Sequence, residues 1–385
     1  MDDDKLAEAI CAQVIRQYGN FKPSSKPARR SNGSHEWTVL AGVVLVDRQT
    51  AECRLVSAAT GVKALPDKEL ERSHGRMVHD SHAEILALRG FNAVLLQQAK
   101  LVTDGRSAEC DLVEQAKTQD RFRLASRWQA ALYISKAPCG DCSMDMADDD
   151  ADEMTFSPDD PIQYVAEHNY TMLRGRFNYS RKGVARTKPG RADSQITLSK
   201  SCSDKLASKT VMSLLSSMTW ELFEEPVFLD YLVLPHTIAT AGFERCFAER
   251  LAGLEGTHMP RLLCCHTAFP GDRAAPQQPP ALTASVYLNI TAKKHVEQAL
   301  LNGVRNGAYV RPPRALAAHA ETIVSRAALW RVFMQLHQAP PLSYAAFKRQ
   351  QHARNRLKRH VRHRLSPDGW PTTRVDDCIA SLAAT

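Results

Sequence analysis

His79–Phe91, "HDSHAEILALRGF", joins a short polar stretch to an apolar helix face, and its reading decides the fold. From His82 onward, Ile85, Leu88, Phe91, Leu95 and Leu96 recur on one face, which predicts a buried helix. Ahead of it, "EWTVLAGVVLVD" (Glu36–Asp47) and "ECRLVSAATG" (Glu52–Gly61) are rich in Val and Leu and separated by a short polar turn, as in two adjacent strands. Behind it, "AALYISKA" (Ala130–Ala137) predicts a buried strand that stops at Pro138, a residue suited to the first turn of a helix.

The same punctuation continues along the chain. Leu6, Ile10 and Val14, with Ala9 and Ile15, give the N-terminus helical periodicity, and "GNFKPSSKPARRSNGS" (Gly19–Ser34) is a loop. A short strand is expected near Ile196–Leu198 and a helix from about Ser203. "PVFLDYLVL" (Pro226–Leu234) and "ASVYLNIT" (Ala284–Thr291) are further strands, with "PGDRAAPQQPP" (Pro270–Pro280) as a linker between them and helices filling much of the remainder. Alternating strands and helices indicate an α/β layered fold, a mixed sheet with helices on both faces. The 385 residues contain no internal repeat and are expected to form a single domain.

Composition excludes several classes. No apolar run reaches the roughly 18 residues that would span a membrane. The acidic N-terminus is unlike a secretory signal, so an intracellular protein is expected. Ten irregularly spaced cysteines suit reduced thiols, a few of them binding metal, better than a disulfide framework. The formal charge of +8 suits a polyanionic partner, and nothing calls for a protein partner. Residues 144–160, "MDMADDDADEMTFSPDD", are expected to be a solvated acidic loop, whereas Lys348–Leu365 is densely basic.

Chemistry concentrates at two junctions. His82 and Glu84 stand at a helix start, and Cys139 and Cys142 lie in "APCGDCSM" (Ala137–Met144). One His and two Cys give zinc three protein ligands and leave the fourth position for water. Glu84, two residues from a ligand and not itself one, is placed to move that water's proton. H-x-E followed by P-C-x-x-C is the signature of zinc nucleobase deaminases. Local spacing pairs Cys139 with Cys142.

A third segment widens the comparison: "LSKSCSDKLASK" (Leu198–Lys209) places Cys202 at another helix start. The ordered set "HDSHAE", "YISKAPCGD", "RTKPGRADS" and "SCSDKL" resembles the adenosine deaminases acting on RNA and their tRNA-specific relatives. The Lys188–Arg191 element, without double-stranded-RNA-binding domains, looks like the tRNA branch, whose members convert the adenosine 3′ to the anticodon of alanine tRNA to inosine. The resemblance covers about residues 36 to 378 and is dense from Thr60 to Lys209.

That resemblance implies a three-layer, cytidine-deaminase-like fold with extra C-terminal helices. It implies zinc ligands His82, Cys139 and Cys202, with Glu84 as proton shuttle, and leaves Cys142 behind the site where a small residue is usual. It implies a buried inositol hexakisphosphate held by Arg89, Lys205, Lys348, Lys358 and Trp370. Leu357, Val361 and Leu365 form a narrow apolar stripe on a basic C-terminal helix; beyond Lys358 that helix equally suits a solvated or tRNA-facing surface. Arg181, Lys182, Arg186, Lys188 and Arg191 are candidates for RNA contact or for a solvated loop. Deamination of adenosine in other structured RNA, or of free nucleosides or cytidine, is the alternative activity.

Overall fold

In the strand Trp128–Ile134, Ala131 and Tyr133 enter one hydrophobic core while Ala130, Leu132 and Ile134 enter another, so both of its faces are covered. This is a computed structural model, describing residues 2–118, 120–146, 160–188, 194–195, 197–238, 240–275, 277–337, 343–373 and 376–379. The strand lies inside an eight-stranded mixed sheet. In chain order its members are β1 (Leu40–Asp47), β2 (Cys53–Thr60), β3 (Trp128–Ile134), β4 (Tyr231–Pro235), β5 (Arg261–Cys265), β6 (Thr283–Thr291), β7 (Lys294–Leu301) and β8 (Val304–Arg305). Their spatial order is β5-β4-β3-β1-β2-β6-β7-β8. β3, β4 and β5 run parallel, and every other neighbour pair is antiparallel.

Helix α1 (Asp3–Gly19) covers one face, burying Leu6, Ile10 and Val14 against Leu40, Val44, Tyr133, Val233 and Leu263. Helix α2 (Ala83–Thr103) covers the other, with Leu88, Phe91 and Leu95 against Val43, Leu132 and Leu288. Glycine permits the close approach on each side. A Cβ at Gly42 would fall 2.6 Å from Val14, and one at Gly90 would fall 2.8 Å from Leu288. α3 (Cys202–Met212), α4 (Ser217–Leu222) and α5 (Thr240–Phe247) extend the α2 layer, and α6 (Arg326–Leu336), α7 (Tyr344–Gln350) and α8 (His352–Leu365) follow at the C-terminal end. Among the described residues no helix is long and apolar enough to cross a membrane.

Four local expectations need correction. The residues after Pro138 do not enter an α-helix: Ser143 N–H bonds back to Gly140 O and Cys142 N–H turns to Ser203 Oγ, leaving a 3₁₀ turn over Asp141–Met146. No strand forms at residues 197–198; Thr187 and Lys200 make an isolated bridge instead, and residue 196 lies outside the described residues. β5 and β7 occupy stretches for which the sequence reading assigns no strand. Each is a short run recruited by a neighbour, β5 parallel to β4 and β7 antiparallel to β6. Of the expected acidic loop, 147–159 lie outside the described residues, while Met144 is buried and Asp145 pairs with Arg245.

Candidate active site

Three chain segments meet at the N-terminal ends of α2 and α3. Asp80–His82 forms a short strand paired with Val62–Ala64, which delivers His82 to the N-cap of α2 in an extended conformation. Cys139 follows β3 on a loop tied to α3, because Ser203 N–H bonds to Cys139 O at 3.0 Å and Ser203 Oγ to Pro138 O at 3.0 Å. Ser201 caps α3 by accepting from Asp204 N–H, so Cys202 begins the helix with its own N–H donating to Cys139 Sγ at 3.3 Å. The ligand atoms of His82, Cys139 and Cys202 all lie within 4.8 Å of one another.

Cys142 is outside that group. It is buried next to Cys246 on α5, whose thiol donates to Asp141 Oδ2 at 3.3 Å. Glu84 stands in the first turn of α2 and is 3% exposed; burial raises its carboxyl above the usual range, against the pull of His82. The Cys139 thiol is held well below its usual range by the hydrogen bond from Cys202, against burial, with His82 and Lys188 adding to the effect. One imidazole and two thiols, one of them poised as thiolate, form a donor set suited to zinc.

Behind the ligands lies a buried ionic chain that sequence reading missed. Lys188 Nζ reaches both Asp80 oxygens at 2.7 Å and Cys202 Sγ at 3.1 Å, and Lys205 pairs with the same carboxylate. Burial works against the Asp80 charge, yet Lys188 and then Lys205 hold its carboxyl well below the usual range. Burial likewise disfavours the Lys188 ammonium, but Asp80, Cys202 and Cys139 keep it protonated. The only sequence signal was the Asp two residues before His82. Asp80→Asn should lower unfolding stability by about 3–5 kcal/mol, because two ammonium groups would lose their counter-charge in a buried site. Denaturant midpoints measure it, and a change below about 1 kcal/mol would mean solvent screens the pair.

The expected RNA contacts divide accordingly. Lys188 is 2% exposed and spent on Asp80, so it cannot reach a phosphate. Arg186 is fully buried as well, its guanidinium donating to the carbonyls of Gly175, Phe177, Asn178 and Arg181. Both assignments are corrected: closure of the 174–188 loop takes these cations inside. Arg181 and Lys182 are exposed, Lys182 pairing with Asp145, and Arg191 lies outside the described residues.

A second cluster gathers cations between α8, α7, α6 and α2. Burial pulls Lys358 down to about 7, with Lys348, Arg362 and Arg354 repelling its charge. Burial and Arg354 bring Lys209 to about 7, and burial and Arg354 bring Arg362 to about 10. Lys348 is held below its usual value, its attraction to Tyr344 outweighed by burial and by Arg326 and Arg354. Arg89 is lowered by burial and by Arg326. Among the described residues no carboxylate pairs with Lys348, Arg354, Lys358 or Arg362, and Arg354 Nε is buried without a partner. Trp370 lies 5.3 Å from Arg362 and 5.4 Å from Lys200. Lys205 instead aims at Asp80 and Ser199.

Comparison with known proteins bears on these two clusters together. Residues 57–365 match the family described as adenosine-deaminase (editase) domain. The chain is 42% identical over 383 residues to tRNA-specific adenosine deaminase 1 of Saccharomyces cerevisiae, spanning 97% of this chain and 95% of that one. It is 30% identical to tRNA-specific adenosine deaminase 1 of Schizosaccharomyces pombe over 88% of this chain and 87% of that one. Double-stranded RNA-specific editase Adar of Drosophila melanogaster is 27% identical over 61% of this chain and 36% of its own length. With the match covering most of the sheet, both ligand-bearing helices and the basic C-terminal helix, the chain belongs to the adenosine-deaminase (editase) domain family.

Proposed function

We propose that this protein deaminates adenosine to inosine in tRNA, at the adenosine 3′ to the anticodon of alanine tRNA. The observation that carries the reading is the convergence of His82, Cys139 and Cys202 within 4.8 Å beside the buried carboxyl of Glu84. The full-length relatives supply the polynucleotide side. A zinc ion held by His82, Cys139 and Cys202 supplies, when bound, the Lewis acidity that makes water nucleophilic near neutral pH. Glu84 takes one proton from the water that attacks adenine C6 and passes it to the ring nitrogen, then takes the second from the new C6 hydroxyl and passes it to the amine, which departs as ammonia. Its raised carboxyl suits both directions of transfer. The Lys188 ammonium offsets the negative charge of the two thiols, and Asp80 fixes its position. An anticodon loop presents its base unpaired, which lowers the cost of bringing it into the pocket.

The test is direct. Purified, zinc-replete protein should convert alanine tRNA, read as an inosine signal on sequencing, and leave cytidine untouched. Turnover of free cytidine without tRNA conversion would put the free-nucleoside alternative in its place. Arg181 and Lys182, both exposed and Lys182 paired with Asp145, remain the RNA-backbone candidates among the described residues. The reading treats the chain as one catalytic domain, since its main core runs from Ala41 to Cys378. It also places the protein inside the cell, in nucleus or cytoplasm, where ten unbridged thiols are at home.

The second cluster suits inositol hexakisphosphate, with Arg89, Lys348, Lys358 and Trp370 at its wall and Arg326, Arg354, Arg362 and Lys209 joining them. Lys348, Arg354, Lys358 and Arg362, without a carboxylate partner among the described residues, and the orphaned Arg354 Nε are what a polyanion would satisfy. Lys205 would connect that anion to Asp80. A pH effect follows with a definite sign. Lys358, facing Lys348 of α7 and Arg354 and Arg362 of its own helix, falls from 10.5 to about 7 on folding, as does Lys209 facing Arg354. Between those values the unfolded chain binds more protons, so stability of anion-stripped protein should rise with pH across that window. Added inositol hexakisphosphate should abolish the rise. Thermal melts at about pH 7 and about pH 9, with and without the anion, decide it; identical slopes would remove the ligand from this site, as would its absence from acid extracts of active protein.

A further inference from the structure

Helix α8 is basic on two opposite faces, and the buried cation cluster uses only one of them. Arg354, Lys358 and Arg362 turn inward beside Val361 and Leu365. His352, Arg356, Arg359, His360, His363 and Arg364 are exposed and, at 3.6 residues per turn, fall within roughly 140° of the opposite arc. We propose that this outer face docks the phosphate backbone of the substrate RNA at a part of the molecule outside the reacting loop. The inference rests on the tRNA reading above.

Three observations argue for an anionic polymer there. His352–Leu365 contains no acidic residue, so the outer charges lack the alternating signs that stabilise an ordinary solvated helix. Arg356 and Arg359 stand three residues apart, and like charges at that spacing oppose helix formation. Among the described residues none of Arg356, Arg359 and Arg364 has an ion-pair partner, so no carboxylate among them offsets that repulsion. Phosphates spaced along an RNA strand would do so.

The surface continues past the end of the helix. Asn169 Nδ2 donates to Gly369 O at 2.7 Å, and Thr171 Oγ1 and Ser366 Oγ share a hydrogen bond of 2.7 Å. These bonds clamp the hairpin strand Asn169–Leu173 to the turn after α8. Tyr170, between the two clamped residues, is 63% exposed and meets the Tyr164 ring edge-on at 5.4 Å. A large exposed ring, on a strand clamped to the end of a basic helix, offers a platform on which an unpaired base can stack. Glu167 and Asp368 are the only carboxylates in Tyr164–Leu173 and His352–Trp370, leaving the combined surface strongly positive.

The experiment compares full-length tRNA with its isolated anticodon stem-loop, using binding and inosine formation as separate readouts. The triple variant R356Q/R359Q/R364Q keeps good helix formers at solvated positions, so it should fold as the parent does. Its Kd for full-length tRNA should rise about tenfold or more, and the slope of log K against log salt should become shallower by about three. Its stem-loop affinity should move by less than about twofold, and Tyr170→Ala should weaken tRNA binding with an unchanged salt slope. An unchanged Kd and slope in the triple variant would overturn the proposal, and so would an equal loss on tRNA and stem-loop. Parent protein that binds tRNA through these residues yet forms no inosine would leave this surface standing and remove the catalytic reading instead.

Discussion

Glu84→Gln is expected to lower inosine formation by about 10³-fold or more while zinc content and tRNA affinity stay at parent levels. The substitution preserves shape and removes only the ability to take and return a proton. Glu84 is not within the group whose ligand atoms cluster, so the metal should not notice the change. Because Glu84 is 3% exposed, no solvent water stands ready to replace it as the shuttle. Exchanging a buried carboxyl for a neutral amide also removes a desolvation penalty, so thermal stability should hold or rise slightly. Single-turnover assays on metal-replete protein, with zinc measured on the same sample, test all of this. Turnover within about tenfold of the parent would assign the proton to another group.

How far the sequence could be read depended on the range of each interaction. α1, α2 and the strands β1, β2 and β3 were legible because their apolar periodicity is local and strong. β5 and β7 were not, since five- and eight-residue runs acquire strand identity only from the neighbour they pair with. At the site, His82 and Glu84 are marked by one short motif, but Lys188 and Asp80 are 108 residues apart and their pairing depends on chain closure. Arg186 and Lys188 mislead for a related reason. A basic residue in a polar, Gly- and Pro-containing stretch resembles a solvated loop until its carbonyl or carboxylate partners are known. The same blindness hides the two faces of α8. Arg354 and Arg356 are chemically identical, and only the packing of Val361 and Leu365 decides which one turns toward the buried cluster.

Local spacing and family resemblance assign Cys142 and Cys202 opposite roles at the metal. Cys202→Ala should lose zinc, because its thiol lies within 4.8 Å of the His82 and Cys139 ligand atoms and a water cannot replace its charge and softness. The consequences should spread, since Lys188 would then face Asp80 with one of its neighbours gone. Cys142→Ala should retain near-stoichiometric zinc and measurable deamination. Its thiol faces Cys246 in the core, so removing it should cost about 1–2 kcal/mol of stability at most. Zinc measured on both folded variants separates the assignments, because the local pair predicts the opposite behaviour. A zinc-free Cys142→Ala beside a zinc-loaded Cys202→Ala would mean that the loop after Pro138 rearranges on metal binding, giving up the Ser203 bonds that now hold Cys139 and Cys142 apart in role.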